Sequence, residues 1–163
     1  LQAAVELPAA ALLLWLVVYW GLLSALRVRL LAMLHLGFVW LGVAFALAGV
    51  SHGLQAWSAG TLSLGLAPTH ALTMGYMVTT LIAMTTRVAS GHSGRALVAD
   101  NPVWVMYWLA HCAAFLRVLA ALWPTADMTL LLTAAAAWAA ACIAWTCRYG
   151  NWFGRIRADG KPG

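Results

Sequence analysis

The chain has 163 residues, 64% of them hydrophobic and only 8% charged, with a mean hydropathy of +0.88. That composition leaves too little polar surface to cover a water-soluble globule of this size, so a membrane protein is expected. The net charge of +5 reads as a topology signal: the basic residues flank apolar runs, and a nucleic-acid partner is unnecessary to explain them.

A first span is expected over 4–26, with Pro8 in its first turn, where a missing N–H costs little. No basic segment precedes this run and no small-residue cleavage site follows it, so it is not read as a signal peptide. The lack of an initiating Met points to a start inside a longer chain. Arg27 and Arg29 end the span, and the short turn brings the second span, 30–50, back as an antiparallel neighbour carrying His35, Gly37, Gly42 and Gly49. Residues 51–67, with His52 and Trp57, are expected to form a connection at the membrane surface. The third span, 68–87, carries His70, Thr73, Met77, Thr80, Met84 and Arg87 at steps of three and four, one face of an α-helix. It is expected to give way to a glycine-bounded polar loop holding His92 and Arg95. Pro102 and Pro124 bracket the fourth span, 103–123, which contains Tyr107, His111 and Arg117. The fifth, 128–147, is rich in Ala and Leu and reads as packing, with a basic, glycine-rich tail over 148–163. Cys112, Cys142 and Cys147 read as small buried hydrophobes.

Arg27, Arg29, Arg87, Arg95, Arg148, Arg155, Arg157 and Lys161 all fall on one side of this arrangement, and Glu6 and Asp127 on the other. The bias places the amino end outside and the carboxyl end in the cytoplasm. At about 1.5 Å per residue, His52 and His70 lie near the outer interface with Arg117 about two turns deeper. His35 and His111 lie at similar depth in the inner half. Two groupings follow, an outer one (His52, His70, Arg117) and an inner one (His35, His111, with Arg87).

Cost makes these residues worth following. An arginine well inside a span costs about 2.5–3.5 kcal/mol, and no acidic residue of the five spans is placed to pair with Arg117. Its partner is then a group from elsewhere or a cofactor anion such as a haem propionate, unless the side chain snorkels. Neutral imidazole suits haem iron and copper, and thioether suits Cu(I), whereas a lone membrane histidine equally serves as a hydrogen-bonded structural group. Met74, Met77 and Met84 read first as core fillers, and Thr73 and Thr80 as groups bonding the preceding turn.

The runs H-A-L-T-M-G (His70 to Gly75) and M-T-T-R-V-A-S-G-H-S-G-R-A-L (Met84 to Leu97) resemble the NnrS family of bacterial membrane proteins. H-L-G-F-V-W-L at His35, L-R-V at Leu116 and the R-x-D-G-K-P-G ending support the resemblance, which runs from about Leu30 to the end. It implies a polytopic inner-membrane protein associated with haem and copper and with responses to nitric oxide, found beside denitrification functions. The family's W-H-x-H-E-M motif is absent, so the chain looks like the carboxyl-terminal part, with missing amino-terminal helices or another membrane subunit as partner. On the matched positions, His70 and His35 are the implied haem or metal ligands, with Arg117 facing a propionate. His111 as a further cofactor ligand and His52 as a further metal ligand rest on depth alone, and Thr73, Met77, Arg87, His92 and Arg95 are motif residues of open role.

The expected protein is therefore all-α, a single polytopic transmembrane helix bundle in the bacterial inner membrane, binding haem, with copper a further candidate, and acting in nitric oxide tolerance or metabolism. Imidazole ligation fits gas sensing, electron transfer and gas reduction alike; were there turnover, it would be that of a metal-dependent oxidoreductase. The competing class is a cofactor-free transporter or assembly subunit whose polar stripe lines a path.

Overall fold

The computed structural model describes residues 1–123 and 128–160. Pro124, Asp127 and Lys161, used above as markers, lie outside the described residues. All regular structure among the described residues is helical: α1 (Gln2–Tyr19), the single turn α2 (Leu22–Ala25), α3 (Arg29–Trp57), α4 (Ala67–His70), a π-helix (Ala71–Val78), α5 (Thr79–His92), α6 (Asn101–Leu122), α7 (Met128–Tyr149) and a 3-10 turn (Gly150–Trp152). Four helices, α1, α3, α6 and α7, are long and apolar enough to cross a membrane. The α4, π and α5 segments join through residues with right-handed helical backbone, so they form a further continuous helix from Ala67 to His92.

Spatial order follows chain order. The α1 helix packs on α3, α3 on the α4–π–α5 helix, that helix on α6, and α6 on α7. In a bilayer, apolar burial gives little drive for helices to associate, so close contact must supply it through dispersion. Glycines allow that approach. A Cβ on Gly42 or Gly49 would sit 2.7 Å from Leu14 or Leu7, so two leucines spaced by two turns on α1 enter two notches spaced by two turns on α3. Gly37 receives Thr79 and Thr80 in the same way, and Gly75 receives the Trp40 ring, which lies 2.5 Å from the point a Cβ would occupy.

The end that carries the arginines is densely knit. Leu30, Met33, Ala83, Val103, Met106, Tyr107 and Tyr149 form one buried cluster, and the Tyr107 hydroxyl donates to the Met33 carbonyl. Trp145 Nε1 donates to buried Thr86 across 3.0 Å. Asp100 caps α6 by accepting from the Val103 N–H at 3.2 Å and also pairs with Arg148. Arg29 donates to Asn101 Oδ1 at 2.7 Å. The tail folds back here: Ala158 N–H donates to the Ser93 carbonyl at 2.9 Å, and Arg95 lies 4.3 Å over the Trp152 ring. Gly94, with φ +68°, leaves no room for a side chain against Asp159. Asp159 in turn grips Arg157 through two hydrogen bonds of 2.7 and 2.9 Å, which hold its guanidinium further above its ordinary range.

Several boundaries differ from the sequence expectation. The first helix stops at Tyr19, short of residue 26, because Gly21 takes a left-handed backbone (φ +85°) and turns the chain into α2. Residues 51–57 are not a surface connection. They continue α3, since nothing in them breaks a helix, and the stop comes at Ser58, whose hydroxyl donates to the Leu54 carbonyl at 2.7 Å and accepts from Leu62 N–H at 2.9 Å. The third span does not end at 87 either: α5 passes through Gly91 to His92, and the left-handed Gly94 follows. The cysteines are not buried. Cys112 and Cys147 are exposed and Cys142 is half-buried.

Candidate functional site between the central helices

The expected polar stripe is not the packed face of its helix. Buried positions run Ala67, Ala71, Gly75, Thr79, Ala83, Thr86 and Ser90, whereas Thr73, Met77, Met84 and Arg87 are exposed and His70 and Thr80 half-buried. The π-helix explains the difference. A strict spacing of four drifts by about 40° per step around an α-helix of 3.6 residues per turn, and the wider π turn offsets that drift, keeping five small residues in line against α3 and α6. That four-residue repeat of small side chains was the signal for it. Thr73 donates to the Thr69 carbonyl at 2.8 Å, within its own helix.

Among the described residues, His111, His70 and Arg117 lack partners near the middle of the bundle, as does the Thr80 hydroxyl. His111 is only 8% exposed, with Tyr107, Trp108 and Trp40 around it at ring-centroid distances of 4.4, 5.4 and 6.4 Å. Both of its ring nitrogens are buried and unbonded, as is Nε2 of His70. Such a nitrogen costs about 1–3 kcal/mol unless something meets it. Arg117 lies close enough to His70 for its charge to act on the ring. It lines a cavity of about 520 Å³ with Met74, Leu131, Ala134, Ala135 and Trp138, and its guanidinium makes no hydrogen bond or ion pair with a described residue.

The two expected groupings are brought together only in part. His70 and Arg117 are neighbours, but His52 is engaged elsewhere, its Nδ1 lying 2.6 Å from Glu6 Oε2. His35 places Nδ1 3.2 Å from the Leu31 carbonyl and lines a separate cavity of about 240 Å³ with Trp20, Phe38, Tyr76 and Thr80. It shares none of these surroundings with His111, because the face of α3 that bears His35 is not the face that bears Trp40. Among the described residues, no three of His, Cys, Asp and Glu converge on one point, so His70, His35 and His52 do not form a common metal cluster. Arg87 and His92 are exposed, and Arg95 is taken up by Trp152. Glu6 was overlooked as a site residue, although a lone acid within an apolar helix asks for a partner; Trp40 and Trp138 carried no such signal, and Met74 read first as a core filler.

A row of apolar helices, four of them long enough to cross a membrane, that holds His70, His111 and Arg117 between its central members is a multi-pass membrane protein. The chain belongs to the NnrS family: the family model, described as NnrS protein, matches residues 1–157. The match begins well before Leu30, where the motif resemblance starts, and ends before most of the terminal R-x-D-G-K-P-G run. No curated protein matches the chain, and no solved structure does.

Proposed function

We propose that this NnrS-family chain is a haem protein of the bacterial inner membrane, with copper as a further candidate metal, acting in nitric oxide tolerance or metabolism. Family membership gives the direction. The observation that carries it on this chain is the set of buried, unpartnered imidazole nitrogens of His70 and His111 together with the unpaired Arg117.

This donor set fits haem. His70 and His111 are the residues that would ligate iron, Arg117 the one that would meet its carboxylates, and Met74 a soft sulfur lining the same cavity as Arg117. When bound, haem supplies reversible ligation of a diatomic gas and one-electron transfer. The chain's own residues do the rest: Trp40, Tyr107 and Trp108 keep water from His111, Arg117 supplies a fixed positive charge, and the Tyr107–Met33 hydrogen bond fixes the α6 face that presents His111.

The purified protein should show a Soret band at about stoichiometric haem, and His70→Ala should remove most of one bound cofactor while insertion continues, since the helix's apolar content does not depend on one imidazole. Full occupancy in both His70→Ala and His111→Ala, with expression unchanged, defeats the assignment. The side of the membrane follows from the basic end, read as cytoplasmic. A cysteine introduced at Ser93 should be shielded from an impermeant reagent in intact cells, and one at Ala59 should be reached; labelling at Ser93 from outside inverts the orientation.

A further inference from the structure

At the end of the bundle away from the arginines, α1, α3 and the start of the α4–π–α5 helix enclose a cavity of about 400 Å³ that the haem reading does not use. Its walls are largely apolar, with Phe45, Ala48 and Leu72 among them, and its polar side is Glu6, Ser51, His52, Gln55 and Thr69. Among the described residues, Glu6 and His52 are the only titratable ones lining it, and no Lys or Arg does. Size and make-up, a mostly apolar hollow with a few convergent polar groups, are those of a small-molecule site.

The pair sets the chemistry of the guest. A carboxylate oxygen only accepts, so the 2.6 Å contact fixes the hydrogen of His52 on Nδ1. In the neutral ring Nε2 then carries a lone pair, and it makes no hydrogen bond with a described residue. An imidazole oriented and polarised by a carboxylate is a strong acceptor for a hydroxyl. An anionic headgroup would meet Glu6 with no compensating cation. Depth narrows the choice further: His52 lies within two turns of the end of α3 at Trp57, which is 81% exposed, as a tryptophan at the membrane interface would be. Gln55, Gly65, Thr69 and Leu72 are exposed at the rim, so the cavity is open to its surroundings.

From these features we infer that the cavity binds the ring of a membrane-soluble hydroquinone, one ring hydroxyl donating to His52 Nε2 and the ring lying against Phe45 and Leu72. The site is independent of the haem assignment, because its occupancy is read without any cofactor bound.

The test is equilibrium binding of decylubiquinol and of decylubiquinone to the full chain in lipid nanodiscs, followed by quenching of tryptophan fluorescence. Saturable binding is expected, with the hydroquinone held about tenfold more tightly than the quinone, whose carbonyl finds no donor at Nε2. His52→Ala and Glu6→Gln should abolish that preference, and Leu72→Trp, which fills the cavity and leaves the pair intact, should abolish binding of both forms. Thermal unfolding close to that of the parent shows that the three variants are folded. Non-saturable partitioning, equal affinity for the two redox forms, or binding unchanged in Leu72→Trp overturns the inference. So does displacement of the hydroquinone by phosphatidylethanolamine at ordinary bilayer content, which would assign the cavity to lipid.

Discussion

The two ends of this bundle are built on opposite terms. At the arginine-bearing end many polar groups are answered, Asp100 by Val103 and Arg148, Arg29 by Asn101, Arg95 by Trp152 and Arg157 by Asp159, while Arg148 Nε is left buried without a partner among the described residues. From the middle towards the other end, His70, His111 and Arg117 have no hydrogen-bond partner among the described residues. A bilayer offers no water to relieve such groups. The contrast therefore teaches where to look for function, namely where packing stops satisfying its own polar atoms, and it marks the basic end as the clamp that holds the helices in register.

The contrast can be broken by substitution, and the largest effect is expected at the helix contact between the two ends. Gly75→Val drives a side chain into the Trp40 ring and should cost about 1–3 kcal/mol, seen as a lower unfolding temperature in detergent. Gly53→Ala, with nothing within 4 Å, should be neutral or slightly stabilising. Equal melting temperatures for the two would mean that the notch is not a close contact in the membrane. Next comes Asp100→Ala at the basic end, which removes a helix cap worth about 1 kcal/mol and a half-exposed ion pair worth less; a loss of about 1–2 kcal/mol in chemical unfolding is expected. The smallest stability effect belongs to Arg117→Gln. Removing an unpaired cation from within a span should leave the cofactor-free protein no less stable. In the haem-loaded protein, the loss of a fixed positive charge disfavours the ferrous state and should lower the midpoint potential by some tens of millivolts. An Arg117→Gln protein that unfolds as readily as Asp100→Ala, with its potential unmoved, would show that Arg117 belongs to the clamp.

Much of this organisation was legible in the residues. Prolines, glycines and charge placed the helices and gathered the arginines at one end, because those signals act locally and the bilayer fixes helix length. The closeness of His70 to Arg117 and of Tyr107 to His111 followed from depth and spacing. What escaped was azimuth. The direction a side chain points around its helix depends on turn width, and the stripe from His70 to Arg87 follows an α-helical period where a π-helix intervenes. His35 and His111 share a depth yet serve different surroundings for the same reason. The pairing of Glu6 with His52 escaped because it joins α1 to a part of α3 that looked like a loop.

That π segment has a mechanical consequence. It stores a phase difference between the half of the helix that bears His70 and the half that bears Thr86, and retightening to α spacing would advance one half on the other by about one residue, or 100°. Thr86 is tied to Trp145 and its half is seated in the basic clamp, while Ala67 and Ala71 seat the His70 half against Ala44 and Val118. The π turn is thus what lets both halves of one helix keep their seats at once.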